Sequence, residues 1–199
     1  MSHPPPSRDR MLEAAIRLLR TSGLSGAGIN EIVRESGAPK GSVYHHFPDG
    51  KTQIAAEALA LYASRVLSFL DTALAAGRTP KAKVRSLFGA MARRVESTAF
   101  AQSCAIGTVT LDLEPDMELL RGVLVSSLAE WQALVASHFD LGDARRTRSF
   151  AGLLLTAIEG AYIRCRAERS AAPFVEAGKW LTELVADGDS RRSPRRLSA

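Results

Sequence analysis

Cysteine is scarce in this sequence: Cys104 and Cys165 are the only two among 199 residues. Two thiols are too few for a disulfide framework, and theirs is not metal-site spacing. Each reads as a small buried hydrophobe. Histidine is nearly as rare, with four copies, and nothing in the chain points to a metal or a cofactor. Long hydrophobic runs are missing too. No unbroken apolar run approaches the roughly 20 residues that a bilayer-spanning helix needs. The opening MSHPPPSRDR lacks the apolar centre of a signal peptide. These absences lead us to expect no membrane partner and a cytoplasmic location. What remains is an ordinary globular composition, 46% hydrophobic and 24% charged, in a chain long enough to bury a core.

Charge alone excludes little. The net charge is +5, yet residues 1–60 carry seven Lys/Arg against six Asp/Glu. Much of the excess sits in the closing DSRRSPRRLSA, with four arginines and one aspartate. That Ser/Arg/Pro tail (189–199) and the proline-rich arm (1–6) are expected to be disordered. A solubilising end is the simpler reading of the tail than a specific nucleic-acid arm.

Between residues 7 and 187 nearly everything has helical spacing, so the expected fold class is all-α. Met11, Leu12, Ala15, Ile16 and Leu19 mark a first helix from Ser7, a natural N-cap, to Ser22, with Gly23 as its stop. INEIVRES forms a short second helix, and Gly37-Ala38 makes a tight turn. PKGSVYHH is a third helix of barely two turns, opened by Pro39. Longer helices follow at about 50–76, 79–97, 116–139, 143–168 and 173–187. SCAIGTVTLDL alternates like a strand at Val109, Leu111 and Leu113. A short helix is the better assignment, because no partner strand exists elsewhere.

Two short helices joined by a glycine turn and braced by a longer one make a helix-turn-helix head, here residues 7–49. The second helix of such a pair enters the major groove of DNA. That accounts for the crowded stretch GSVYHHF. Val43 and Phe47, four apart, anchor one face to the head, leaving Lys40, Ser42, Tyr44 and His45 pointing outward. Gly41 keeps the surface low enough for close approach to a duplex. A metal role for His45 and His46 is disfavoured, since adjacent residues on a helix diverge by about 100°.

The stretch INEIVRESGAPKGSVYHHFPDGKTQIAAEAL resembles the N-terminal signature of the tetracycline-repressor (TetR) family of transcriptional regulators. CAIGTVTLD and IEGAYIRCRAER resemble its lincomycin-resistance repressor-like branch. The resemblance implies a three-helix DNA-binding head and a C-terminal helical domain (50–188) for ligand binding and dimerisation. It also implies a double-stranded DNA operator, a small-molecule effector and a homodimer. Ser42, Tyr44 and His45 then contact DNA, and Lys51 holds a phosphate from the start of the fourth helix. One departure stands out: FPDGK puts four steps between Phe47 and Lys51, where the family more often has three.

The second half carries no labelled ligand. Leu67, Phe88, Met91, Phe100, Ile106, Trp131 and Tyr162 are the candidate lining of an effector cavity, with Tyr162 or Gln102 for polar recognition. Such a lining suits an apolar, aromatic or planar effector, although each member alone is more often core than pocket. The 143–168 helix is about 39 Å long at 1.5 Å per residue. Its face of Phe150, Leu153, Leu154, Ala157, Ile158, Ala161 and Tyr162, broken by Gly152 and Gly160, suits a symmetric helix–helix interface. Trp180 on the last helix joins it. A competing reading is an enzyme using Cys104 or Glu159, but neither has a catalytic partner nearby in sequence. A third is a nonspecific nucleic-acid binder using the arginine tail.

Overall fold

The computed structural model describes residues 6–185. The expected arm and tail therefore lie, but for Pro6, outside the described residues, where nine α-helices and one 3-10 turn are joined by short loops. The helices are α1 (Ser7–Gly26), α2 (Ile29–Ser36), α3 (Val43–His46), α4 (Gly50–Ala75), α5 (Pro80–Ser97), α6 (Ala105–Leu111), α7 (Glu118–Ser137), α8 (Ala144–Glu168) and α9 (Ala172–Glu183). Helix α1 is interrupted at Gly23, whose φ of 68° lies outside the helical region. That break is where the stop signal was expected. Ser7 is itself helical and not the cap, which is Pro6. SCAIGTVTLDL does form a helix, α6, from Ala105.

The helices pack around one apolar interior. Helices α1, α2 and α3 form the head. Helix α4 leaves the head and packs on α1, α5 and α7 in turn, while α5 lies along α9 and α8 bridges α7 and α9. Buried Ile54, Ala58, Leu59, Tyr62, Val66, Leu70 and Leu74 run the length of α4 at helical spacing. Head and body therefore share a continuous core through this helix.

The expectation about hydrophobic runs needs one correction. Helices α4 and α7 are both long and apolar enough, averaged over a window, to cross a membrane. Unbroken runs missed this because single polar residues interrupt both helices. In α4 the apolar side is consumed by packing against α1, α5 and α7.

Candidate DNA-contacting face and effector cavity

The third helix of the head is a composite of a 3-10 turn over Lys40–Ser42 and the single α-turn of α3. Val43 and Phe47 are fully buried, and the Arg8 guanidinium lies 5.4 Å from the Phe47 ring centroid. With those two anchored, Lys40, Gly41, Tyr44 and His45 are exposed and Ser42 partly so. Tyr44 keeps 63% of its surface in solvent, unusual for an aromatic residue in a tight head. A side chain at Gly41 would meet nothing within 4 Å. The glycine is thus not required by the fold, which agrees with a surface kept low for a partner. His46 is half-buried, its ring between those of His45 and Phe47.

Gly50, directly before Lys51, adopts φ 63° and donates its N–H to Phe47 O at 2.9 Å. Only glycine takes that conformation without strain. Helix α4 therefore starts at once, with Lys51 partly buried in its first turn. Asp49 N–H donates to the Gln53 side chain, Gln53 to Glu57, and Arg8 pairs with Glu57. This chain of contacts ties the start of α4 to the start of α1.

The far end of α1 is clamped to α6 and the adjoining loops. Asp112 accepts from Leu24 N at 2.7 Å and Ser25 N at 3.1 Å. Thr108 donates to Leu19 O at 2.7 Å, and Ser103 N–H to Arg20 O at 2.9 Å. Arg20 Nε returns a bond to Ser103 O, and Arg166 donates to Thr21 O. The bonds to Leu19, Arg20 and Thr21 O satisfy carbonyls that the end of a helix leaves without partners, and Asp112 takes the N–H groups just past the break at Gly23.

Inside the body, α4, α5, α7, α8 and the residue before α6 enclose a narrow apolar cavity. Its wall includes Tyr62, Val66, Phe69 and Leu70 of α4, Met91 and Arg94 of α5, Cys104, Trp131 of α7, and Leu155, Ile158, Glu159 and Tyr162 of α8. The free volume is about 20 Å³, room for roughly one water molecule. Of the residues expected here, Met91, Trp131 and Tyr162 are in the wall. The other five are not. Leu67 lies on an outer groove between α4 and α7. Phe88 packs on Phe174 and on the backbone of Gly178, where α5 and α9 meet. Ile106 is plain core, 1% exposed. Phe100 sits in a turn after α5 with φ 62°, its N–H on Val95 O, and Gln102 is in the same connection. Sequence reasoning chose Leu67 on α4 and missed the four α4 residues that do line the cavity. The available signal was the spacing of Tyr62, Val66, Phe69 and Leu70, which places them on one face.

Cys104 and Glu159 do meet, although the thiol is not poised as a nucleophile. Burial pushes the Cys104 thiol well above its ordinary range, and the adjoining Glu159 carboxylate pushes it further. A nucleophilic cysteine requires the opposite shift. Burial also raises the Glu159 carboxyl, partly offset by the Cys104 hydrogen bond. Tyr162 is pushed up to about 12, and Tyr62 well above its usual value, chiefly by burial. A methyl group at Gly107 would collide with Glu159 Oε2. That glycine makes room for the carboxylate against α6.

The expected dimer face also needs correction. Phe150, Leu154 and Ala161 are buried within the protomer, because the side of α8 they occupy faces α7 and α9. They are unavailable to a partner. Ala157 is half-buried, whereas Leu153 and Trp180 are exposed, Trp180 by 71%. Leu153, Thr156, Gly160 and Ile163 form an outward stripe on α8, and Val175 and Leu184 are exposed on or beside α9.

A helix-turn-helix head with a solvent-facing third helix, continuous through α4 with an all-helical body, defines a DNA-binding transcriptional regulator. Residues 11–58 match the N-terminal domain of bacterial regulatory proteins of the tetR family. Residues 80–180 match the C-terminal domain of LmrA/YxaF-like transcriptional regulators. The chain belongs to the TetR family, in its LmrA/YxaF-like branch, a family of regulators and not of enzymes. It is 30% identical over 185 residues to an uncharacterised HTH-type transcriptional regulator of Mycobacterium tuberculosis, covering 89% of this chain and 93% of that one. It is 26% identical over 181 residues to the HTH-type regulator LmrA of Bacillus subtilis, covering 90% and 96%. Among solved structures, a TetR regulatory protein from Rhodobacter sphaeroides superposes with a TM-score of 0.78 at 21% identity, over 89% of this chain and 97% of that one. The regulator CifR, solved with 26-bp double-strand operator DNA, gives 0.78 at 17% identity over 93% and 100%. At these identities the structural likeness shows the fold alone.

Proposed function

We propose that this regulator is a cytoplasmic, homodimeric repressor that leaves a palindromic operator when a small apolar or aromatic effector enters the body cavity. The observation that carries the reading is the row Lys40, Gly41, Ser42, Tyr44 and His45, held in the open by buried Val43 and Phe47. In this division residues 7–49 read DNA and residues 50–188 sense and dimerise. Lys51 supplies charge to a phosphate, and Leu153, Ala157 and Trp180 lie on the face that meets the second protomer. Large exposed apolar side chains on α8 and α9 support that face.

A cavity this narrow accepts a ligand only if α4 and α8 move apart. An effector acts by binding the spread conformation more tightly than the closed one. The α4 wall residues carry that displacement to the start of α4. The α6 clamp carries it to α1 through Asp112 and Thr108.

Footprinting on DNA fragments that include the region upstream of its own gene tests the reading. A dimer is expected to protect two half-sites about one helical turn apart. An asymmetric footprint, or none on any fragment, overturns the palindromic dimer.

A further inference from the structure

We propose that the effector carries a basic nitrogen, held by Glu159 within a cage of aromatic rings, on an apolar body. The proposal rests on the reading of this cavity as the effector site. Glu159 is the only carboxylate in the cavity wall. Among the described residues its one polar partner is the Cys104 thiol, a weak donor. No lysine or arginine pairs with it there. A carboxylate placed in an apolar wall without a cation is costly to the folded protein. A ligand ammonium offsets that cost on binding.

The rest of the wall suits the same group. Tyr62, Phe69, Trp131 and Tyr162 bring four aromatic rings around the cavity, and ring faces attract cations. Trp131 donates its indole N–H to Ala63 O at 3.0 Å, so it offers a ligand its ring and no donor. The Tyr162 hydroxyl has only the Met91 sulfur, at 3.7 Å, and remains a ready acceptor for an N–H.

Two arginines are near and act against a second cation. Arg20 lies outside the wall, its Nε on Ser103 O and its guanidinium 5.5 Å from the Tyr62 centroid. Arg94 is in the wall but partly exposed, its guanidinium 5.1 Å from the Phe69 centroid. Glu159 and Arg94 both keep part of their surface in solvent, but the Arg94 guanidinium already lies over a ring face. An anionic effector would seek Arg94 instead.

A matched set of fluorescent probes decides between these charges: naphthylmethylamine as the cation, naphthylmethanol as the neutral form and naphthoate as the anion. Binding of each to the full-length protein is followed by fluorescence anisotropy, and operator release is followed in parallel. The amine is expected to bind wild type at least roughly tenfold tighter than the alcohol, as a charge-assisted contact does. Glu159→Gln, which keeps the shape, is expected to remove that preference. Met91→Trp, which fills the cavity, is expected to abolish binding of all three. If naphthoate or the alcohol binds as well as the amine, or if Glu159→Gln keeps the preference, the basic nitrogen is wrong and the effector cavity stands. If none of the three binds wild type, the cavity is closed core, and both the proposal and the reading beneath it fall. The comparison of probes on wild type needs no variant to fold.

Discussion

The head and the body of this chain expose and bury their important side chains in opposite ways. In the head, the residues proposed to face DNA come from one short stretch, Lys40 to His45, and are exposed or, for Ser42, partly exposed on two buried anchors. In the body, the cavity draws residues from four helices and the residue before a fifth, and eight of the twelve are buried. A substitution on the outer face of the head can therefore change binding without changing folding. A substitution in the cavity wall changes both, because the same atoms line the site and form the core. The contrast also separates two kinds of polar group. Those at the head stand largely in water, whereas Glu159 is only partly exposed and sits in an otherwise apolar wall.

The largest test of this contrast is at the anchor. Phe47→Ala is expected to cost ~3–5 kcal/mol of stability, as truncation of a buried phenylalanine does, and to lower the melting temperature followed by circular dichroism. Its neighbour three residues away is expected to behave differently. Tyr44→Ala should leave melting unchanged and lose ~1–3 kcal/mol of operator affinity if the ring makes a specific base or methyl contact. An unfolded Tyr44 variant would place its ring in the core and break the comparison. Between these lies the joint of the two regions. Asp112→Ala removes the acceptor for Leu24 and Ser25 and is expected to destabilise by roughly 1–3 kcal/mol. It should also weaken the effect of any effector on operator binding. Unchanged coupling in a folded Asp112 variant would leave α4 as the sole route.

A smaller effect is expected at Lys51. Lys51→Ala should weaken binding to all sequences alike and reduce the magnitude of the salt slope by about 1. An unchanged slope would mean that the turn at Gly50 has carried Lys51 away from the phosphate. The smallest effect is in the body. The folded-state pKa of Glu159 is raised, so the folded protein holds that proton more tightly than the unfolded chain. Stability from this group is present at acid pH and is lost as pH rises through the raised value. Glu159→Gln should therefore gain thermal stability over wild type at alkaline pH and show no such gain at acid pH. A gain that does not vary with pH would trace to packing alone.

How much of this was readable beforehand differs between the regions. Val43 and Phe47 were assigned inward from a spacing of four, and the row from Lys40 to His45 outward, because within one short helix spacing alone decides the side. The same logic failed on α8. Periodicity grouped Phe150, Leu154 and Ala161 with Leu153 and Ala157 on one broad apolar face, but could not say which edge of it the protomer covers. Packing against α7 and α9 decided that, and left Leu153 and Ile163 outside. Phe88 was misplaced for a similar reason. Its bulk suited a cavity, but α9 approaches so closely at Gly178 that the ring is enclosed.

Local sequence by itself determined the helices, the glycine stops, the order of the head and the family to which the chain belongs, since each follows from residues a few positions apart. The tertiary structure alone decided which members of each apolar face become cavity, core or outer surface. It alone brought Glu159 of α8 to Cys104 and Gly107, and Asp112 to the end of α1. Those pairs lie 52 or more residues apart in the chain. Their meeting depends on how whole helices cross, a property that no local spacing encodes.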